Sequence, residues 1–293
     1  MIPDAELRSL DDAVAAALHD GDVSRLDVIG YGEITVVLGW PPYERELACK
    51  RLPPFPDRAA LDRYRDVFEA YVAQLRARGI DVEETALCAV ERNGGRLHAY
   101  CVQRVLPTTS LGPAVLRDPD VDAAHPMVGA IVDAVVETVD DGLGLDAQLS
   151  NWAWVGDGLR YFDVTTPFLR DDRGRSRLDL DVFLASLPWA LRAPLGRFVF
   201  PGVVARFHDA RSVLVDLVAN LEKERLSQWA PAFLEVANAR LARPIPAEEP
   251  RRYYRSDARL WRATQAIRRA DRWWQRRVRR REYDFLIPAR IDR

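Results

Sequence analysis

The chain has 293 residues, of which 48% are hydrophobic and 29% charged, and its formal net charge is −2. That length suits one large domain or two lobes around a substantial core. There is no run of 18 apolar residues and no basic-apolar-small leader, so a transmembrane segment is excluded and a soluble, cytoplasmic protein is expected. Cys49, Cys88 and Cys101 are odd in number and lack metal spacing, which argues against a disulfide framework or a zinc site.

Charge is unevenly spread. Residues 251–293 carry 15 arginines against five acids, so the rest of the chain is strongly acidic. Of 42 basic residues only Lys50 and Lys223 are lysine. A chain that otherwise writes arginine keeps lysine where a compact ammonium has a use.

In chain order, Leu7, Leu10, Val14 and Leu18 predict an amphipathic helix over 4–19. Residues 27–38 read as a strand, a glycine turn at Gly30-Tyr31-Gly32, and a second strand. Residues 46–52 form a third strand that carries Lys50. The stripe Leu61, Tyr64, Val67, Phe68, Tyr71, Val72, Leu75 predicts a helix from the N-cap Asp57 to the stop Gly79, with Glu69 on its flank. Strands at 84–91 and 97–106 flank Asn93-Gly94-Gly95, a strong hairpin signal, and complete five antiparallel strands.

The segment Pro107 to Pro113 marks a boundary between lobes, and a buried helix is expected from Pro126 to Gly142. It leads into Asp146, then Asn151, then a hairpin of residues 152–155 and 159–162 around Gly156-Asp157-Gly158 that ends on Asp163. Asp and Asn are common at the ends of strands and turns, which is the structural alternative for all three. Their order also suits phosphoryl transfer, which needs a carboxylate facing the acceptor hydroxyl and an Asn with a second Asp to hold magnesium. Helices at 181–187, 195–207, 208–226 and 229–241 follow, then a stiff linker, Pro244 to Pro250. A last helix, 256–281, places Leu260, Trp261, Ile267, Trp274 and Val278 on one side among arginines. It either docks on the acidic body or binds an anionic partner, a nucleic acid or a membrane surface.

Taken together, residues 25–240 resemble the protein-kinase-like superfamily, in particular its small-molecule branch of aminoglycoside phosphotransferases and choline kinases. The resemblance implies an α+β, two-lobed fold with an antiparallel five-stranded sheet and helix in residues 1–106. A mainly helical lobe spans 107–243, and the Arg/Trp helix lies in 244–293. It also implies ATP, Mg2+ and γ-phosphoryl transfer to a small-molecule hydroxyl. By position, Gly30, Tyr31 and Gly32 match the nucleotide loop, Lys50 the phosphate-binding lysine and Glu69 its ion-pair partner. Gln103 and Val105 lie in the adenine-binding connection, Asp146 is the catalytic carboxylate, and Asn151 and Asp163 are the magnesium ligands. Three departures are Gly144 where the family has His, Gln148 where it often has Lys or His, and Val164-Thr165 after the metal aspartate. These departures favour an alternative, a pseudokinase scaffold that binds a nucleotide or partner without turnover.

Overall fold

The computed structural model describes residues 2–20, 22–31, 36–92, 94–179, 184–185, 187–280, 283 and 285. It is an α+β protein with an N-terminal antiparallel sheet and a helical C-terminal part. The sheet comprises β1 (Val28–Tyr31), β2 (Val36–Trp40), β3 (Leu47–Arg51), β4 (Thr85–Glu91) and β5 (Leu97–Arg104). Their order is β1-β2-β3-β5-β4, so the β4-β5 hairpin folds back to pair β5 with β3.

Both faces of the sheet are covered. Helix α1 (Asp4–Asp20) buries Leu7, Leu10 and Val14 against Val36, Leu38, Cys49, Tyr100 and Val102. Asp11 of this helix is also fully buried, because Arg92 and the Tyr100 hydroxyl donate to its carboxylate and His98 Nδ1 lies 3.0 Å away. Helix α2 (Arg58–Ala77) covers the other face. It starts where Asp57 accepts a hydrogen bond from the Ala60 amide at 2.8 Å, and it ends before Gly79, whose φ of +84° suits glycine. Its stripe Leu61, Tyr64, Phe68, Tyr71, Leu75 joins a core that continues into the C-terminal part.

The alternation of strand residues decides what reaches that seam. Cys49 faces α1, so its neighbour Lys50 faces α2 and the C-terminal part, opposite Cys101 in the register. Gln103 shares the face of Cys101.

Beyond the sheet come α3 (Gly112–Val115), α4 (Pro126–Thr138), the hairpin β6 (Trp152–Val155) and β7 (Gly158–Tyr161), and α5 (Trp189–Phe198). They are followed by α6 (Phe200–Arg206), α7 (Ala210–Lys223), α8 (Ala230–Arg240) and α9 (Glu248–Arg277). Three expectations need correction. Gly30 and Tyr31 belong to β1, paired with Val37 and Val36, so the strand runs through the expected turn. Gly32 and the side chain of Tyr31 lie outside the described residues, as does most of the helix expected at 181–187.

The last helix begins at Glu248, inside the expected linker. Pro250 sits in its first turn, where an amide hydrogen has no partner to lose, and Arg211 holds Glu249 at 2.6 Å. Its face is also not the expected one. Tyr254, Gln265 and Arg268 are buried, while Ile267, Trp273, Trp274 and Val278 are exposed; the side chains of Leu260 and Trp261 lie outside the described residues. The N-terminal part of the helix lies against α7 through Tyr254 and Ala219. No helix among the described residues is long and apolar enough to cross a membrane.

Candidate active site

Residues 145–149 alternate between buried and half-buried positions: Leu145, Ala147 and Leu149 turn into the core, while Asp146 and Gln148 face the other way. The backbone before Asp146 is held from three elements. The Gly144 amide donates to Phe168 O, the Leu145 amide donates to Phe207 O, and the Tyr71 hydroxyl of α2 donates to Gly144 O. A Cβ on Gly144 would lie 2.7 Å from the Phe207 carbonyl oxygen and 2.9 Å from Phe168 Cβ, so no larger residue fits there.

From Asp146 the chain turns through Gln148 to Asn151. The Gln148 amide approaches Asp146 Oδ1 at 3.3 Å, and the buried Asn151 donates Nδ2 to the Asp146 carbonyl at 3.1 Å, as Tyr161 does with its hydroxyl. With Nδ2 committed to this bond, Oδ1 is the acceptor atom of the Asn151 amide. The hairpin then does what its turn predicts. Gly156 takes φ of +61°, Trp152 pairs with Tyr161, and the Phe162 amide donates to Asn151 O, which leaves Asp163 one residue past the point opposite Asn151.

Asp163 meets Lys50. Lys50 Nζ lies 2.8 Å from Asp163 Oδ1 and 2.9 Å from Oδ2, with side chains 19% and 28% exposed. Thr165 adds its hydroxyl at 2.9 Å and its amide at 3.3 Å to Oδ1. Burial pushes the Asp163 carboxyl up, but the Lys50 charge and the hydrogen bonds from Lys50 and Thr165 outweigh it, so its pKa lies below the ordinary value. It is a carboxylate at neutral pH.

The other expected residues fall in different places. Gln103 donates Nε2 to Phe162 O at 2.7 Å and to Thr85 Oγ1 at 2.8 Å, which clamps the hairpin to the sheet. Val105 is half-buried and its amide donates to Glu46 O. Glu69 is a correction: it is exposed, and the partner of Lys50 is Asp163. The reason is angular, since Glu69 stands about 100° round the helix from Phe68, which turns into the core. In its place α2 sends two tyrosines toward the loops, with the Tyr64 hydroxyl donating to Thr165 O at 2.8 Å and that of Tyr71 to Gly144 O at 3.1 Å. Helical periodicity marks both only as core.

One further contact had a signal in the sequence without a position. Lys223, the other lysine, ends α7 and places Nζ 3.3 Å from Gln148 Oε1. The two lysines of the chain therefore both reach this region. Among the described residues no cluster of three or more His, Cys, Asp or Glu side chains has metal-binding geometry.

A family model described as a family of unknown function (DUF6206) matches residues 9–272, and the chain belongs to that family. No curated protein matches. Among solved structures, the chain is similar to WaaP in complex with acyl carrier protein, at 16% identity and a TM-score of 0.34 over 76% of this chain and 91% of that one. It is also similar to a MAP kinase from Leishmania major, at 10% identity and a TM-score of 0.32 over 87% and 99% of the two chains. At TM-scores this low neither neighbour bears on the chemistry of the site.

Proposed function

We propose that this member of the DUF6206 family is an ATP- and Mg2+-dependent phosphotransferase that moves the γ-phosphoryl group to a hydroxyl of a small molecule. The observation that carries the reading is the approach of Lys50 to Asp163, on the side of the hairpin where Asn151 and Asp146 also lie.

Each residue has a chemical task. Asp146 is half-buried on a loop held by Gly144 and Leu145, so its carboxylate is positioned to accept or orient the proton of an acceptor hydroxyl. Lys50 is a point charge suited to phosphate oxygens, and its pairing with Asp163 keeps its ammonium in place. Magnesium would be held by Asp163 and by Asn151 Oδ1. These are hard oxygen donors, one carboxylate and one carboxamide, and such a sparse set fits an ion that keeps water and phosphate oxygens for its remaining positions. When bound, the ion would neutralise charge on the β- and γ-phosphates.

A second reading, a nucleotide-binding scaffold without turnover, is favoured by Gly144 and by the neutral Gln148 two residues after Asp146. One experiment separates the two. Thermal melting with ATP and Mg2+, followed by release or transfer of the γ-phosphate across a panel of hydroxyl metabolites, gives both stabilisation and turnover for the enzyme. Asp146→Asn should lower turnover by about 10²-fold or more while leaving nucleotide stabilisation in place. Turnover that survives the substitution unchanged removes Asp146 from the reaction.

A further inference from the structure

We infer that Lys223 is the second phosphate-facing cation of this site, supplied by the C-terminal end of α7 in place of a charged residue on the Asp146 loop. The inference rests on the phosphotransferase reading and adds a residue to it. Gln148 faces the same side of its segment as Asp146 but is neutral. Its side-chain oxygen takes the Lys223 ammonium at 3.3 Å, and its amide reaches Asp146 Oδ1 at 3.3 Å, so one glutamine ties the cation to the carboxylate loop.

Three features set Lys223 apart from an ordinary surface lysine. It is half-buried, and among the described residues it forms no ion pair. Its ammonium meets a neutral amide oxygen at 3.3 Å, which leaves its charge available to an incoming anion. Its acidic neighbour on the C-terminal side, Glu224, pairs with Arg117 at 3.7 Å, and the residues one helical turn back, Ala219 and Asn220, carry no charge. A lysine at a helix C-terminus is favourable in itself, but that role does not require an approach to Gln148. The chain uses arginine almost everywhere else, so a lysine at this position is one of only two, the other being Lys50.

Phosphoryl transfer spreads negative charge over the equatorial oxygens of the moving group, and a cation placed there stabilises the transition state more than the ground state. The test uses the full chain and two readouts: MgATP hydrolysis with water as acceptor, and titration with inorganic phosphate in the presence of MgADP. Lys223→Met should lower kcat about 100-fold, with KM for ATP within about threefold of the parent. Adding Gln148→Lys to that variant moves the charge onto the loop and should recover about tenfold of the loss, which a merely structural lysine would not allow.

A Lys223→Met protein with kcat within about threefold of the parent overturns the assignment and leaves the phosphotransferase reading intact. If the parent binds MgATP but shows no turnover, that reading fails instead, and the phosphate titration alone decides. Phosphate affinity about tenfold weaker in Lys223→Met then sustains the cation site, and unchanged affinity overturns it.

Discussion

Lys50 Nζ sits within 2.9 Å of both carboxylate oxygens of Asp163, a residue 113 positions further along the chain. The contact exists because strand alternation turns Lys50 toward the seam and a tight hairpin returns Asp163 to it. Removing one partner leaves the other charge partly desolvated. Lys50→Met should therefore lower stability by about 1–3 kcal/mol in urea denaturation and let the Asp163 carboxyl rise from its depressed pKa. The same variant should lose the stabilisation conferred by MgATP. A full MgATP shift in Lys50→Met would remove this lysine from the phosphate site.

Helix α2 gives a paired prediction. Glu69 is exposed, so Glu69→Gln should change stability by less than about 0.5 kcal/mol and leave nucleotide stabilisation as it is. Tyr71→Phe deletes the hydroxyl that donates to Gly144 O and should cost about 1 kcal/mol. Measured together by denaturant midpoints, the reverse ranking would reinstate the glutamate as the helix's contribution to the site.

Gly144→Ala probes the loop from the other side. The new methyl would meet the Phe207 carbonyl at 2.7 Å and Phe168 Cβ at 2.9 Å, and both belong to segments hydrogen-bonded to this loop. Overpacking of this kind should cost about 1–3 kcal/mol, with loss of MgATP turnover beyond what the stability change explains. A variant as stable and active as the parent would show that the segment has room for a side chain.

Two buried groups set the acid limb of stability. Burial, with Arg170 adding repulsion, pulls His208 down from 6.5 to about 4, so it is neutral in the folded chain and charges more readily in the unfolded one. Acidification from pH 6.5 to about 4 then favours unfolding. Burial raises the Asp11 carboxyl, but hydrogen bonds from His98 and Tyr100 and the charges of His98 and Arg51 bring it from 3.8 to about 2. Its contribution is complete above pH 3.8 and is lost as the pH falls through about 2. Melting temperature against pH should thus decline in two stages, and His208→Gln should flatten the upper one only. A profile that is flat from pH 6.5 to 4 in the parent would contradict the neutral buried histidine.

What the sequence alone determined is the local chemistry. The α2 boundaries follow from Asp57 and Gly79, the hairpin from Gly156, and the inward stripe of α1 from Leu7, Leu10 and Val14. The α+β organisation follows from strand patterns giving way to helical ones. These are legible because caps, positive φ and amphipathic periods act between residues a few positions apart. The placement of β5 between β3 and β4 was decided in three dimensions, as was the choice of Asp163 over Glu69 for Lys50. So were the outward turn of Trp273 and Trp274 and the meeting of Lys223 with Gln148. Periodicity says which side of an element avoids water, but not which of several carboxylates a half-buried ammonium will reach. That choice is made by packing between elements far apart in the chain, where desolvation and distance fix the partner.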